Sequence, residues 1–357
     1  MKIALISPAH RSGGSIYSQN LSKELNATII SAELPLRRIR SEVCENRFDV
    51  VDIQLEYRTF GSHIRTLVYL PILAFLLWDV TLTYVTVHGI LTLQSLRGQR
   101  LRWPKLIAFV LSVKLAALFS AQMLVHTESM RRELIRYGVK NVTVIAHGSG
   151  PLCYRPQDGS RNSVLFFGFI RPSKGIETLI LAFEQVVRVH PKAILIIAGD
   201  VSDSDEVPYS HRLSDLVRRL GLEANVSFRT GFVPEVDKQS LAAESAILAL
   251  PYTDSYLEVS GVVHDFSGCG VSILCSQTPR FSELTDGFDC LKVRVTPSEL
   301  RDSICRLLED VELRGKLASN LFALAQSESW PAVARTRLDL YAATIPAHRS
   351  AKRAPDQ

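Results

Sequence analysis

Short apolar runs alternate with amphipathic stretches along the whole chain. In the first half, runs rich in Val, Ile and Leu predict β-strands at residues 2–7, 28–31, 49–55, 80–87, 122–126 and 142–145. Stretches in which apolar residues recur at helical spacing, such as 15–25 and 129–137, lie between these runs. Regular alternation of strands and helices predicts a parallel sheet that is covered by helices on both faces.

A second series of the same kind fills the second half. Strands are predicted at residues 164–167, 193–198, 226–229, 247–250, 271–274 and 290–293, and helices at 177–189, 211–220, 261–267 and 297–308. The segment 148–162 between the two series is polar and contains Gly and Pro, as is typical of a linker. The predicted fold class is α/β, with two Rossmann-like domains that face each other across a cleft.

The chain length agrees with two domains, because 357 residues exceed what a single core usually serves. We place the N-terminal domain at residues 1–150 and the C-terminal domain at residues 151–327. Residues 328–344 are predicted to form a closing helix that packs back on the N-terminal domain. Residues 345–357 are polar and basic, which predicts a frayed tail.

Composition bounds the class of protein and its compartment. Hydrophobic residues make up 46% of the chain and charged residues 22%, which excludes disorder for most of it. The six cysteines lack CxxC or metal-ligand spacing, which favours reduced thiols. The first apolar run is too short for a signal peptide. We therefore expect a cytoplasmic protein.

The net charge of +5 is unevenly distributed. Between Tyr57 and Thr127 the only acidic residue is Asp79. The basic residues of this stretch are Arg58, Arg65, Arg97, Arg100, Arg102, Lys105 and Lys114. The stretch is also rich in Leu, Ile and Phe and lacks the interleaved aromatic and basic residues of an RNA-binding surface, so we expect no nucleic acid partner. An anionic membrane surface on the inner face of the cell membrane is the partner it favours.

Two apolar stretches are long enough to raise the question of membrane spans. Residues 66–78 contain Pro71 and fall well short of the roughly 20 residues that a span needs. Residues 106–125 have the length, but Lys114 stands near their middle, where a charge is costly. A helix followed by a strand of the sheet explains the second stretch better. Neither is predicted to cross a bilayer.

The most informative candidate site follows the strand at 164–167. The strand stops at Gly168, and Arg171 and Lys174 then precede the predicted helix at 177–189. Two cations beside a helix N-terminus favour an anion, and a diphosphate matches their number. A solvated basic turn is the alternative, because this spacing of Arg and Lys is common.

Two candidates lie in the first half, where ligands bind beyond the carboxyl ends of parallel strands. Gly13 and Gly14 follow the first strand and would let the backbone approach a phosphate, with Ser15 as a cap; a tight turn is the alternative. His88 follows the strand at 80–87 and could reach a sugar hydroxyl or a leaving group. For His126 and His147, packing or capping is favoured.

A third candidate precedes the helix predicted at 261–267. The N–H groups at Gly261 and Val262, after Ser260, could hold a phosphate. Asp265, one turn later, could accept both hydroxyls of a ribose, as acidic residues do in nucleotide sites. The alternative for Asp265 is an exposed helix carboxylate.

These motifs, in this order and spacing, resemble the donor domain of the family 4 retaining glycosyltransferases of the GT-B fold. The resemblance rests on Gly168, Arg171, Lys174 and Gly175, on Ala198-Gly199, on Gly231, on Ser260-Gly261-Val262 with Asp265 and Cys269-Gly270, and on Ser282-Glu283-Leu284. It covers residues 164–341 well and the N-terminal half more loosely.

The resemblance implies roles for these residues. It assigns residues 151–327 to a nucleotide-sugar donor, UDP- or GDP-linked, and residues 1–150 to a glycan or lipid-linked acceptor. Arg171 and Lys174 would neutralise the departing diphosphate, and Asp265 would stand for the second glutamate of the family's Glu-x7-Glu motif. The first glutamate falls on Leu257, with Glu258 beside it. The implied chemistry is sugar transfer with retention, by a front-face mechanism.

Alternatives from other classes remain at this point. Leu257 in place of a glutamate motivates a catalytically weak or inactive sugar-nucleotide-binding subunit of a polysaccharide assembly system. A nucleotide-sugar epimerase is a weaker option, because no set of acid–base carboxylates around a sugar is identifiable. No cofactor or metal is expected, since the acidic pair Asp203 and Asp205 lies in a loop and is interpreted as solvated.

Overall fold

The structure is a computed structural model and describes residues 1–10, 12–201, 207–231 and 233–352, with side chains as far as Ile345. It divides into two compact units. Unit 1 comprises Met1–Gly148, Tyr256–Gly261 and the chain from Trp330 onward, and unit 2 comprises Ser149–Ser255 and Val262–Ser329. The segment Tyr256–Gly261 thus returns to unit 1, which the single boundary predicted at residue 150 does not anticipate.

The first part of unit 1 alternates strands and helices as the apolar pattern predicts. Its elements are β1 (Ile3–Ser7), α1 (Gly13–Leu25), β2 (Thr28–Ser31), α2 (Leu36–Asn46), β3 (Val50–Leu55), α3 (His63–Trp78), β4 (Leu82–Val87), β5 (Gly89–Ile90), α4 (Arg102–Leu118), β6 (Gln122–Val125), α5 (Glu128–Arg136) and β7 (Val142–Val144). Six of the strands form a parallel sheet in the order β2-β1-β3-β4-β6-β7. Apolar clusters cover both of its faces.

Unit 2 repeats the arrangement. Before the segment Tyr256–Gly261 it contains β8 (Ser163–Phe167), α6 (Ile176–Val189), β9 (Ile194–Gly199), α7 (Val207–Arg219), β10 (Val226–Thr230), α8 (Glu235–Glu244) and β11 (Ser245–Leu250). The segment itself carries β12 (Leu257–Glu258), which belongs to unit 1. After it come α9 (Gly261–Phe266), β13 (Ser272–Ser276), β14 (Leu291–Val293), α10 (Pro297–Glu309) and α11 (Val311–Ser327). The parallel sheet has the order β10-β9-β8-β11-β13-β14. The prediction of two α/β sheets is confirmed.

The segment 149–162 is irregular and lies along unit 2. Its backbone N–H groups at Gly150 and Cys153 donate to the carbonyls of His264 and Gly268, at 3.1 and 2.8 Å. All six cysteines are free thiols. Within the described residues, no helix is long and apolar enough to cross a membrane.

The last helix, α12 (Trp330–Lys352), extends past the predicted end of the closing helix at residue 344 and into the segment predicted to be frayed. It packs against α1. Arg337 of α12 and Asp52 of β3 are fully buried and form an ion pair. The hydroxyls of Thr86 and Tyr341 also donate to Asp52, at 2.8 and 2.9 Å, so the buried carboxylate is well satisfied. This polar network joins the end of the chain to the sheet of unit 1.

Candidate functional site

In unit 2, the predicted site lies where β8 ends and α6 begins. A 3₁₀ turn, Pro172–Lys174, follows Arg171 and leads into α6. Between them Gly175 has a φ of 68° and acts as the N-cap of α6 without a capping side chain. A Cβ here would lie 2.0 Å from the carbonyl oxygen of Pro251, so only glycine fits. The first turn of α6 therefore lies against the end of β11 with its N-terminal dipole directed toward the loop of Arg171 and Lys174.

Both predicted cations lie over aromatic rings. Lys174 Nζ lies 3.5 Å from the ring centroid of Tyr252, and the guanidinium of Arg171 lies 5.0 Å from the ring of Phe169. The backbone N–H of Thr253 donates to the Ser173 carbonyl at 2.9 Å, which fixes the 3₁₀ turn to the end of β11. Both cations are partly buried. Placement over aromatic faces pre-organises their charges for an anion.

Gly168 adjoins this pair. At Gly168 a Cβ would lie 3.6 Å from a methyl group of Val262 and 3.7 Å from the hydroxyl of Tyr252. Tyr252 therefore contacts both the Gly168 loop and Lys174. The structure thus brings together Gly168, Lys174 and Val262, which lie up to 94 residues apart along the chain.

Asp265 is not the exposed carboxylate of the alternative interpretation, because its side chain is only 21% exposed. Lys238 of α8 donates to it at 2.7 Å, and Lys238 also lies 5.9 Å from the ring centroid of Phe167, at the end of β8. Burial raises the pKa of Asp265, and the charge of Lys238 opposes that rise. Lys238 is a site residue that sequence reasoning missed, since no motif marks it.

Glu283, part of the Ser-Glu-Leu motif, is a buried carboxyl group. Its side chain is 11% exposed, and neither carboxylate oxygen has a hydrogen-bond partner within the part of the chain that the structure describes. Its Oε1 lies 4.0 Å from Nε2 of His264. Burial, reinforced by the charge of Glu328, raises the pKa of Glu283 to about 8. The group is therefore held in its neutral form at neutral pH.

Three further predicted site residues, Glu258, Ser260 and Gly261, fall in the segment Tyr256–Gly261 of unit 1. There β12 pairs antiparallel with β5, so that Glu258 lies opposite Gly89. A Cβ on Gly89 would lie 3.0 Å from Oε2 of Glu258. Leu257 is 8% exposed and belongs to the apolar core of unit 1. The position of the family's first glutamate is thus a core position here, while Glu258 lies beside the strand end that carries His88.

The glycine pair of the first loop faces a carboxylate. Ser12 caps α1, and the backbone N–H of Gly14 donates to the carboxylate of Glu56. A Cβ on Gly14 would lie 2.6 Å from the carboxyl carbon of Glu56, whereas Gly13 has 3.6 Å to the same side chain. Burial raises the pKa of Glu56, and the nearby charge of Glu258 acts in the same direction. Glu56, which no motif marked, occupies the position at Gly14 where the sequence predicted a phosphate.

His88 belongs to a hydrogen-bonded chain. Nδ1 of His126 lies 3.1 Å from the Ile145 carbonyl oxygen, and Nε2 of His126 lies 3.0 Å from Nδ1 of His88. Nε2 of His88 lies 3.0 Å from Oε1 of Gln54. Burial lowers the pKa of both histidines well below its ordinary value. His88 is therefore a buried neutral ring with a polar partner at each nitrogen, and its catalytic role stays a prediction.

His147 completes this cluster of unit 1. Its ring stands 5.4 Å from that of His126 and 4.8 Å from that of Tyr17, and burial lowers its pKa to about 4. The packing interpretation of His126 and His147 agrees with these contacts. Among the described residues, no group of three His, Cys, Asp or Glu side chains is placed to hold a metal ion. Asp203 and Asp205 lie outside the described residues.

Comparisons with known proteins place these features in context. Residues 155–322 match the family model described as glycosyl transferases group 1. A D-inositol 3-phosphate glycosyltransferase of Nocardioides sp. is 28% identical over 223 residues, which are 56% of this chain and 48% of that protein. One from Frankia alni is 23% identical over 222 residues, covering 56% of this chain and 52% of that protein. The matches span about half the length of these curated relatives.

Solved structures show the fold over nearly the whole chain. Anabaena HepE in complex with UDP and glucose superimposes with a TM-score of 0.75 at 18% identity, covering 96% of this chain and 99% of that one. Sucrose-phosphate synthase from Thermosynechococcus elongatus gives a TM-score of 0.75 at 16% identity, covering 97% and 100%. Residues 155–322 therefore resemble the glycosyl transferases group 1 family, and the chain as a whole has the GT-B fold of these structures.

Proposed function

We propose that this protein is a glycosyltransferase that moves a sugar from a nucleotide diphosphate donor to a glycan or lipid-linked acceptor, with retention at the anomeric carbon. The observation that carries the proposal is the pair Arg171 and Lys174 at the start of α6, where the N-cap Gly175 offers no capping side chain, within the segment that matches the glycosyl transferases group 1 model. HepE, which shares the fold, has been solved with UDP and with UDP-glucose, which favours a UDP-linked donor.

The proposed chemistry follows from where charge develops. When the bond between the sugar and the diphosphate breaks, the leaving oxygen gains negative charge. Lys174, held over Tyr252, and Arg171 supply fixed positive charge for it, and the N–H groups of α6 add the helix dipole. Retention, by a front-face reaction in which the departing diphosphate helps to deprotonate the acceptor, is part of the proposal and rests on the resemblance alone.

Asp265 is proposed to accept the ribose hydroxyls. Its Oδ2 accepts a hydrogen bond from Nζ of Lys238 at 2.7 Å, so Oδ1 is the oxygen that we propose contacts the ribose. Lys238 in this scheme orients the carboxylate and offsets its charge beside a diphosphate. A contact of this kind contributes equally to the ground state and the transition state, so it affects nucleotide affinity rather than the rate of chemistry.

Turnover of the purified protein with a panel of UDP- and GDP-sugars tests the proposal. Lys174→Ala and Arg171→Ala should each lower turnover about 100-fold or more, because each removes charge stabilisation of the leaving group. Arg212→Ala is the matched control, since Arg212 also lies over a ring, 5.4 Å from Tyr209, but on the surface of α7. Unchanged turnover in the double variant would place the diphosphate elsewhere.

The ribose assignment has its own test. The wild-type protein should bind UDP more tightly than 2′-deoxy-UDP, and Asp265→Asn should remove that preference while leaving kcat nearly unchanged. Lys238→Met is the control for an indirect effect, because it releases the carboxylate without removing it. If Lys238→Met abolishes the preference as completely as Asp265→Asn, or if only kcat falls, Asp265 does not contact the ribose.

A second candidate function is a sugar-nucleotide-binding subunit without transferase activity. The burial of Leu257 in the core of unit 1 favours it, because no carboxylate stands at the position where the resemblance implies one. The same panel separates the two functions. Stabilisation of the protein by a nucleotide sugar with no transfer and no donor hydrolysis would support the second function and overturn the first.

A further inference from the structure

Helices α3 and α4 of unit 1 each present a row of large apolar side chains to solvent. On α3 the row is Ile64, Val68, Ile72, Phe75 and Trp78, and on α4 it is Trp103, Ile107, Leu111, Leu115 and Leu118. We call these ten residues the apolar face. Each of them is between 42% and 77% exposed, which is unusual for such side chains at helical spacing.

Spacing explains why the apolar face points outward. Within each row, successive residues are three or four positions apart, so they share one side of their helix. The opposite side of α3 buries Leu70, Leu73 and Leu77, and that of α4 buries Phe109 and Val113. Each helix is thus apolar on two sides, and only one of those sides is needed for packing on the sheet.

The two rows form one surface. Helices α3 and α4 pack directly against each other. At their carboxyl ends, Phe119, which follows α4, packs against α3, with its ring centroid 5.1 Å from that of Phe75 and 6.0 Å from that of Trp78. Single exposed apolar residues are common on protein surfaces, but a contiguous apolar surface of this extent is typical of an interaction site.

Positive charge lies at the opposite end of the apolar face. Arg97, Arg100, Arg102 and Lys105 precede or open α4 and are exposed, and Arg65 is exposed in the first turn of α3. The only acidic residue between Tyr57 and Thr127 is Asp79, which lies at the other end of α3 and pairs with Arg40 at 3.5 Å. The basic end is therefore not neutralised by acidic residues of its own segment.

We propose that the apolar face is a membrane-docking surface that rests on an anionic lipid bilayer. Apolar rows would enter the boundary between head groups and acyl chains, while the basic end lies among anionic head groups. Tryptophan, which both rows contain, is favoured at that boundary. The helices have 16 and 17 residues, so they lie on the bilayer rather than cross it.

Vesicle binding tests the proposal with the full chain. The wild type should sediment with vesicles that contain phosphatidylglycerol, should sediment less at high salt, and should not sediment with phosphatidylcholine alone. Two of the three tryptophans, Trp78 and Trp103, belong to the apolar face. Their fluorescence should therefore shift to shorter wavelength when anionic vesicles are added, which gives a readout that needs no variant.

Two variants locate the contact, and each has a matched control. The first replaces Phe75, Ile107 and Leu111 with Ser; its control replaces Val189, Val236 and Phe288, which are also exposed but lie in unit 2. The second replaces Arg97, Arg100, Arg102 and Lys105 with Gln; its control replaces Lys192, Arg219, Arg306 and Lys316, exposed basic residues of unit 2.

The expected outcome is loss of vesicle binding in both variants and retention in both controls. Each basic residue near an anionic surface accounts for about a fivefold change in affinity, so the second variant should lose more than about 100-fold. Equal binding by variants and controls, equal binding to neutral vesicles, or no binding and no fluorescence shift in the wild type overturns the proposal. A dimer that the first variant dissociates, without vesicle binding by the wild type, would assign the face to a second copy instead.

Discussion

Replacing Arg337 should selectively destabilise unit 1. Arg337 and Asp52 are both fully buried, and Arg337 also donates to the hydroxyls of Thr86 and Tyr17 at 3.1 and 3.0 Å. In Arg337→Leu the donors that the described residues still offer to the Asp52 carboxylate are the hydroxyls of Thr86 and Tyr341. It must then stay charged without a counter-ion or take up a proton, and at pH 7 both cost free energy. Breaking one side of such a pair costs about 3–5 kcal/mol.

That loss is a large part of what a domain has available, since whole domains are stable by about 5–15 kcal/mol. The chain has two units, so a single unfolding transition is not assured and a probe confined to unit 1 is needed. Tryptophan fluorescence is such a probe, because Trp78, Trp103 and Trp330 all lie in unit 1. Urea unfolding followed by this signal measures the free energy of unfolding of that unit.

Two companion variants make the reasoning refutable. Arg335→Leu changes an exposed arginine of the same helix and should cost less than about 0.5 kcal/mol. Adding Asp52→Asn to Arg337→Leu removes the unpaired charge and should restore more than about 1 kcal/mol. If Arg337→Leu is no more harmful than Arg335→Leu, or if Asp52→Asn restores nothing, the pair does not stabilise unit 1 as the geometry implies.

Two further predictions concern stability. The pKa of Glu283 rises from 4.5 to about 8 on folding, so its protonated form stabilises the fold below pH 4.5 and that stabilisation is lost as the pH rises to 8. Glu283→Gln removes the titrating group, so the free energy of unfolding of unit 2 should vary less between pH 4.5 and pH 8. The difference should be several kcal/mol, since each pKa unit corresponds to about 1.4 kcal/mol. An unchanged pH profile would contradict the burial argument. Gly14→Ala should destabilise the protein by about 1–3 kcal/mol because the new methyl group meets Glu56, whereas Gly315→Ala, in α11 with open space around it, should stabilise by up to about 1 kcal/mol; thermal unfolding in which both changes act alike would refute the contact.

The apolar pattern was sufficient for the two sheets, because each predicted strand is present in the structure and the inner strands are compact runs of largely buried residues. Helix α2 was not predicted from the apolar pattern. Only Ile39 and Val43 of its eleven residues are buried, which leaves too few apolar positions for a visible period. The extension of α12 was missed for a similar reason, since the polar composition past residue 344 resembles a loop.

The residues of the candidate site likewise fall into two groups, those that a local sequence pattern predicts and those that it does not. Residues of the loop after β8 follow local rules, a glycine turn and a helix start, and were predictable from a short window. Lys238, Glu56 and Glu258 were not placed by such rules. Their contacts join residues 27 to 169 positions apart, and no pattern within either segment specifies the partner. Register and pairing between distant segments are properties of the fold rather than of any window of sequence.

The ion pair of Arg337 and Asp52 also constrains the order in which the protein can be made. The two residues are separated by 285 positions, and the chain completes unit 2 at Ser329 before Arg337 has been synthesised. At about 5–20 residues per second, a ribosome needs roughly 15 to 60 s to make that interval. During this time the sheet of unit 1 holds an acidic group whose counter-charge does not yet exist. Unit 1 therefore lacks this pair until after unit 2 has been synthesised, and a fragment that stops at Gly148 would remain permanently without it.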